Sequence, residues 1–391
     1  MKEIINMMFA LLRSVLCAEE LDKSIFADLN DEKLELLYKL SMKHSMAHIV
    51  GTALINAGLL NDSDIAKKFT KQQLVAVHRY ENFEYELGVI CNTLEKAEIP
   101  YIPLKGSVIR ALYPEPWMRT SCDIDVLVHE EDIDRAVEAL VRNGYTADEK
   151  RNFHDISLRS TSGVHLELHF SIKENRELLD TVLSQVWSYT VPNDESVRYE
   201  MTTEFMVFYT IAHMSYHFVS GGCGIRPFAD LWYINQKLDF DDEKVISLCR
   251  QSEIADFYEA VKMLMNVWYA GSKHNELTLR MERYIITGGV YGTQELYTAV
   301  KQQELGGKAA YTRSILFLPY ESLQIMYPSL KNRAQAPFYQ IKRWMDILSN
   351  RDRTEKSIKK LKKSVSLKKD KVNEVGQLLD DLNLNNRKKE R

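Results

Sequence analysis

Proline and glycine are scarce in this chain. Its 391 residues hold nine prolines and sixteen glycines, and the first proline is Pro100. A β-sandwich or barrel spends far more of both on its turns, so a helix-rich chain is expected. Cysteine is also sparse: Cys17, Cys91, Cys122, Cys223 and Cys249 are odd in number, widely spaced and never arranged as CxxC. That excludes a disulfide framework or zinc ribbon and fits a reducing, cytoplasmic setting. No run of about 18 apolar residues occurs, so no membrane span is expected. Arg13 interrupts the apolar stretch 4–18, which lacks the frame of a secretory leader.

Several familiar motifs are missing as well. Gly221-Gly222-Cys223-Gly224 has no Gly-Lys-Ser/Thr after it and reads as a flexible loop, not a Walker motif. His44/His48 and His213/His217 stand four apart, as zinc-binding pairs on a helix do. Neither pair carries the glutamate of His-Glu-x-x-His, so cleft-lining or core roles fit better.

What is present is ordinary in bulk and uneven in charge. Apolar residues make up 45% and charged residues 27%, as in a globular protein. The net charge is −4, but residues 351–391 carry 14 Lys/Arg against 7 Asp/Glu, leaving 37 against 48 in the remainder. The body is acidic and the tail basic. The tail reads as an exposed basic helix with a polar, disordered end. It holds no aromatic residue, so it lacks a platform for stacking on single-stranded nucleic acid.

Periodicity places helices over residues 1–97, with apolar positions such as Leu34, Leu37, Tyr38 and Met42. The pattern changes at Ile99. A short strand with Pro100 and Pro103 leads into a Lys105-Gly106-Ser107 turn and a short helix at 108–113. A strand follows at 123–128, an amphipathic helix at 132–143 capped by Gly144, then strands at 154–160 and 164–170. Helical spacing returns at 202–219, 227–236, 243–251, 254–270, 277–287, 293–302 and 336–349. The expected architecture is α+β: an N-terminal helical segment (1–97), a small mixed-sheet core (98–175), a C-terminal helical region (176–350) and the basic tail (351–391).

The chemistry concentrates in the small core. Asp123 and Asp125 point the same way from one strand, roughly 7 Å apart at ~3.3 Å per residue. Two like charges facing one way call for solvent or a divalent cation, and Mg²⁺ takes oxygen ligands of this kind. Replacing either aspartate by asparagine is expected to relieve repulsion. Gly106 and Ser107 stand at a strand-to-helix turn, where backbone N–H groups and the helix end favour phosphate. Lys105 and Arg119 add positive charge. His165, Glu167 and His169 share one face of a later strand. If that strand lies beside 123–128, Glu167 joins the aspartates; otherwise it is a structural carboxylate paired with Arg or His. His169 either orients Glu167 or packs in the core, and ligation is disfavoured because Mg²⁺ prefers oxygen. Arg226 and Asp230, four apart on a helix, are either an ion pair or a contact to a substrate.

Taken together, the runs IPLKGSVIRALYP, MRTSCDIDVLV, LVRNGY and VHLELHF resemble the uncharacterised bacterial nucleotidyltransferase family of the polymerase-beta-like superfamily. That superfamily orders a glycine-serine turn, Asp-x-Asp on a strand and a third carboxylate on a later strand. Gly106-Ser107, Asp123-Ile124-Asp125 and Glu167 follow this order. The stretches AHMSYHF, GGCGIRPFADLWYI and MYPSLKNRAQAPFYQIKRWMDIL extend the likeness over about 30–350, with Phe170 where a tryptophan is expected.

The resemblance implies transfer of a nucleoside monophosphate from an NTP such as ATP to an acceptor, with two Mg²⁺ or Mn²⁺ ions held by Asp123, Asp125 and Glu167. Lys105, Gly106, Ser107 and Arg119 would face the nucleotide phosphates. His169, His213, His217, Arg226 and Asp230 would line a cleft between the sheet and the C-terminal helices. A toxin-like enzyme acting on tRNA or protein, and a catalytically silent nucleotide-binding protein, are the rival readings.

Overall fold

The computed structural model describes residues 1–193 and 196–385. The fold is α+β, a five-stranded mixed sheet flanked by helices. The N-terminal helices are α1 (Lys2–Leu16), α2 (Asp31–Lys43), α3 (Ala47–Ala57) and α4 (Asp64–Lys96). Asn30 and Ser63 cap α2 and α4 through their side-chain oxygens. The sheet unit runs β1 (Tyr101–Pro103), α5 (Gly106–Ile109), β2 (Ile124–Val128), α6 (Ile133–Arg142), β3 (Thr146–Arg151), β4 (Asp155–Arg159) and β5 (His165–His169). After it come α7 (Glu177–Leu183), the small pair β6 (Thr190–Pro192) and β7 (Tyr199–Met201), α8 (Thr203–Val219), α9 (Arg226–Lys237), α10 (Asp242–Gln251) and α11 (Ala255–Tyr269). The last helices are α12 (Glu276–Gly288), α13 (Gln294–Glu304), α14 (Lys308–Leu316), α15 (Tyr320–Met326), α16 (Ala336–Leu348), α17 (Arg351–Ser366) and α18 (Lys369–Asp381). No helix among the described residues is long and apolar enough to cross a membrane.

Internal contacts divide the chain into two units: Met1–Tyr216 with Gly224–Glu282, and His217–Cys223 with the chain from Arg283 onward. In the first, the strand order is β1-β2-β5-β4-β3. Only the β2–β5 pair is parallel; its neighbours are antiparallel. Pro103 sits at the end of the sheet, in β1, where a missing N–H costs least. Strand β3, with the sequence TADEKR, is at the opposite end. It gives no apolar alternation, because a strand at an edge needs none to pair. Behind the sheet, Ile124, Val126, Leu166 and Leu168 pack with Ile90 and Leu94 of α4 and with Ile133, Ala136 and Leu140 of α6.

A buried histidine joins the N-terminal helices to the sheet unit. His48 of α3 donates from Nε2 to the Met118 carbonyl at 2.6 Å. Burial drives its pKa down to about 4, and Arg226 and Arg79 push the same way.

The second unit holds two departures from the expected pattern. The Gly221–Gly222 loop is packed tightly: a Cβ on Gly222 would lie 2.6 Å from the Gly289 carbonyl, and one on Gly288 2.5 Å from that of Gly221. The basic tail is two helices, and the second is not an exposed one. Val372, Val375, Leu378 and Leu379 of α18 are buried. Gln303 of α13 donates to the Val372 carbonyl at 2.8 Å, and Gln302 to that of Ser364 at 2.9 Å. The apolar stripe of α18 is interrupted by two lysines and four acidic residues, which give the segment a polar composition. The polar end expected to be disordered after the basic helix is instead helical over α18, and residues 386–391 lie outside the described residues.

Two outcomes are expected. Leu379→Ala, at a buried position, costs about 2–5 kcal/mol in chemical denaturation; a solvated tail would give a change near zero. Acidification tests His48. Its folded pKa lies below the unfolded value, so its contribution to stability is complete above pH 6.5 and is lost as pH falls toward 4. The loss amounts to about 3 kcal/mol, and His48→Gln flattens that part of the pH–stability curve.

Candidate active site

Strand register builds the site. In the parallel pair, Asp125 lies opposite Glu167 and Leu127 opposite His169. Alternation sends Ile124, Val126, Leu166 and Leu168 into the core and leaves Asp125, Glu167 and His169 on the other face. Asp123 immediately precedes β2. Two overlapping sets of donor atoms result: Asp123, His165 and Glu167, and Asp125, Glu167 and His169. Within each set one atom per residue lies within 4.8 Å of the others. Glu167 belongs to both.

The protein's own cations meet this negative charge unequally. His169 Nε2 is 3.0 Å from Asp125 Oδ1 and 3.6 Å from Glu167 Oε2. Lys105 Nζ is 3.4 Å from the same Asp125 oxygen. Burial opposes ionisation of Asp125, yet Lys105 and His169 outweigh it and hold this carboxyl well below the carboxylate range. Asp123 goes the other way: burial raises it first, and the charges of Asp125 and Glu167 raise it further. The His169 hydrogen bond lowers Glu167. Burial pulls His169 down, but bonds to Asp125 and Glu167 prevail and hold it up at about 9. His169 therefore supports the carboxylates as a cationic donor, and it stacks on His154 with ring centroids 5.5 Å apart.

The glycine-serine turn is tightly built. Leu104 donates to the Asp125 carbonyl at 3.0 Å, tying the end of β1 to β2. Lys105 then takes φ 43°, a left-handed value that costs a side-chain-bearing residue energy. Gly106 has no room for a side chain, since a Cβ would lie 2.4 Å from Arg119 Nη1. The Ser107 N–H is donated to the Leu104 carbonyl at 3.0 Å, so its hydroxyl, not its backbone, is what it offers a ligand.

Arg119 has a different setting from the one expected. Its Nε and Nη2 grip Asp230 at 3.1 and 2.8 Å, and Tyr113 donates its hydroxyl to Asp230 at 2.7 Å. The side chains of Arg119 and Asp230 are only 6% and 4% exposed. Arg226 donates to the Thr120 carbonyl at 2.7 Å. The start of α9 thus braces the segment that delivers Asp123, and the Arg226/Asp230 spacing reflects two separate tertiary contacts. His213 reaches Glu174 with Nδ1 2.7 Å from Oε1, and burial keeps it neutral, its pKa well below the usual histidine value. His217, one turn further along α8, falls in the second unit.

Two residues near the site, Tyr209 and Glu174, were not singled out from sequence, and His165 was placed on its strand face without a role. Tyr209 has its ring 5.9 Å from Lys105 Nζ; its spacing of four from His213 on one helix was the available signal. His165 shares the strand face of Glu167. Glu174, in the loop after β5, carried no signal.

Comparison with known families agrees with this geometry. A family described as uncharacterised nucleotidyltransferase matches residues 30–270, which include the whole sheet, the three carboxylates and α9. No curated protein is matched by the chain. The family match spans well over half the sequence, and the chain belongs to the uncharacterised nucleotidyltransferase family.

Proposed function

We propose that this chain is a metal-dependent enzyme that moves a nucleoside monophosphate from an NTP to an acceptor hydroxyl and releases pyrophosphate. The observation that carries this reading is the opposition of Asp125 and Glu167 across a parallel strand pair, with Asp123 one residue before it. The donor set suits Mg²⁺ or Mn²⁺: Asp123 with Glu167, and Asp125 with Glu167, each bring hard carboxylate oxygens within 4.8 Å of one another. Asp123, Asp125 and Glu167 would hold the ions, which supply charge neutralisation for the triphosphate and a more acidic acceptor hydroxyl.

The remaining roles belong to the chain itself. Lys105, fixed beside Asp125 and Tyr209, places a positive charge where phosphate oxygens approach. The Ser107 hydroxyl binds a phosphate oxygen at the turn. Arg119 acts through Asp230 by holding the segment before Asp123. His169 keeps Asp125 and Glu167 ionised and oriented. In the reaction the acceptor oxygen bonds to the α-phosphorus, the bond from that phosphorus to the bridging oxygen breaks, and the hydroxyl proton is released.

Mutation of the aspartates tests this reading, and the two differ in stability. Asp123→Asn and Asp125→Asn each lower Mg²⁺-dependent pyrophosphate release by about 100-fold or more. Full activity in either sinks the mechanism. Asp123→Asn leaves stability unchanged or raised, because the fold raises this carboxyl's pKa. Asp125→Asn costs about 1–3 kcal/mol, because it removes the partner of Lys105 and His169. Relief of repulsion, expected for both, therefore applies to Asp123 alone. The Asp125 contribution is present above the ordinary carboxylate range and disappears as pH falls through its depressed pKa.

A further inference from the structure

A cavity of about 180 Å³ opens beside the segment 120–122 that leads into Asp123. Its lining includes His48 of α3, Gln72 and Arg79 of α4, Ser121 and Cys122 of the segment before β2, and Arg226 of α9. Cys122 directly precedes Asp123, so the rim of the cavity is one residue from the site. No carboxylate lines it, although the neighbouring site concentrates three.

Neither of its two arginines has an ion pair among the described residues. Arg79 is exposed and has no hydrogen bond or ion pair with the described residues. Arg226 is half-buried and gives one N–H to the Thr120 carbonyl. Asp230 and Asp123 lie in range of its charge, but Asp230 is committed to Arg119 through both oxygens and neither forms an ion pair with Arg226 among the described residues. Burial and the charge of Arg119 both disfavour the Arg226 cation. Two guanidinium groups at a cavity whose lining holds no carboxylate attract an anion, and the guanidinium fork suits phosphate. His48 adds no charge there, because it is held neutral with its Nε2–H given to Met118. The volume is several times the ~30 Å³ that a water molecule takes up in the liquid, enough for a phosphate group and part of what carries it.

The geometry points to this cavity as a phosphate-binding subsite formed by Arg79 and Arg226, distinct from the Lys105-Gly106-Ser107 turn, which receives an anionic group of a substrate. The assignment to a substrate rests on the nucleotidyl-transfer reading; the binding of phosphate does not. The anion is either the far end of the triphosphate or a phosphate on the acceptor, and the same experiment separates these.

Cys122 is exposed, whereas the other four cysteines are partly or fully buried. Its alkylation by iodoacetamide, followed by peptide mass spectrometry on the full chain at constant ionic strength without metal, reports occupancy. Inorganic phosphate is expected to slow Cys122 alkylation in a saturable way. Arg79→Gln and Arg226→Gln are each expected to raise the half-saturating concentration about 10-fold or more, the loss that goes with a charge-assisted hydrogen-bonding group. Arg79 is exposed, so its variant keeps the test valid even if Arg226→Gln folds poorly. A non-hydrolysable NTP with Mg²⁺ that competes with phosphate assigns the subsite to the triphosphate; simultaneous binding assigns it to the acceptor. Absence of protection in the wild type, or equal protection in Arg79→Gln, overturns the inference. Glu167→Gln separates the two readings, since it is expected to lose turnover while phosphate still protects Cys122. A wild type that is protected yet transfers no nucleotide overturns the nucleotidyl-transfer reading and leaves the phosphate subsite standing.

Discussion

The parallel pairing of β2 with β5 is the constraint on which the site depends. It sets Asp125 opposite Glu167 in the one parallel register of the sheet. The same alternation that exposes these carboxylates buries Ile124, Val126, Leu166 and Leu168 beneath them. A slip of one residue would exchange the two faces, driving carboxylates into the core and aliphatic side chains out of it. The core therefore fixes the register, and the register assembles the charge. Concentrating that charge has a cost. Lys105 and His169 offset it at Asp125, whereas Asp123 carries the remainder as a raised pKa. That imbalance is what an added cation would relieve.

The segment between α5 and β2 is held with equal care. Asp230 accepts from Tyr113 and from two nitrogens of Arg119, and Arg226 fastens the Thr120 carbonyl. A buried ion pair gives little net stability, because desolvation consumes much of its attraction, but loss of one partner strands the other. Its effect here is placement: the Arg119 guanidinium also fills the space that a Gly106 side chain would need. The turn, the brace and the aspartates are consequently one mechanical unit. A strained φ at Lys105 persists within it because the contacts on either side dictate the backbone path.

The sequence by itself determined the α+β class, most helices and the closeness of Asp123 to Asp125, whereas Glu167 stayed conditional on a strand pairing that only the fold decided. The determined features are local: they rest on apolar spacing, on proline and glycine, and on strand alternation, all readable along the chain. Some local signals still misled. The aliphatic stripe of α18 was obscured by charged residues, mostly acidic, and the polar β3 lacked the alternation of a half-buried strand. Tertiary structure alone decided the rest. Nothing in the spacing of Arg119 and Asp230, 111 residues apart, announces their pairing. The unequal pKa shifts of Asp123 and Asp125 likewise depend on where Lys105 and His169 come to rest. So does the gathering of Arg79, Arg226 and His48 around one cavity from three helices. Pattern along a chain records which face each residue presents, whereas burial and charge compensation are set by neighbours distant in sequence.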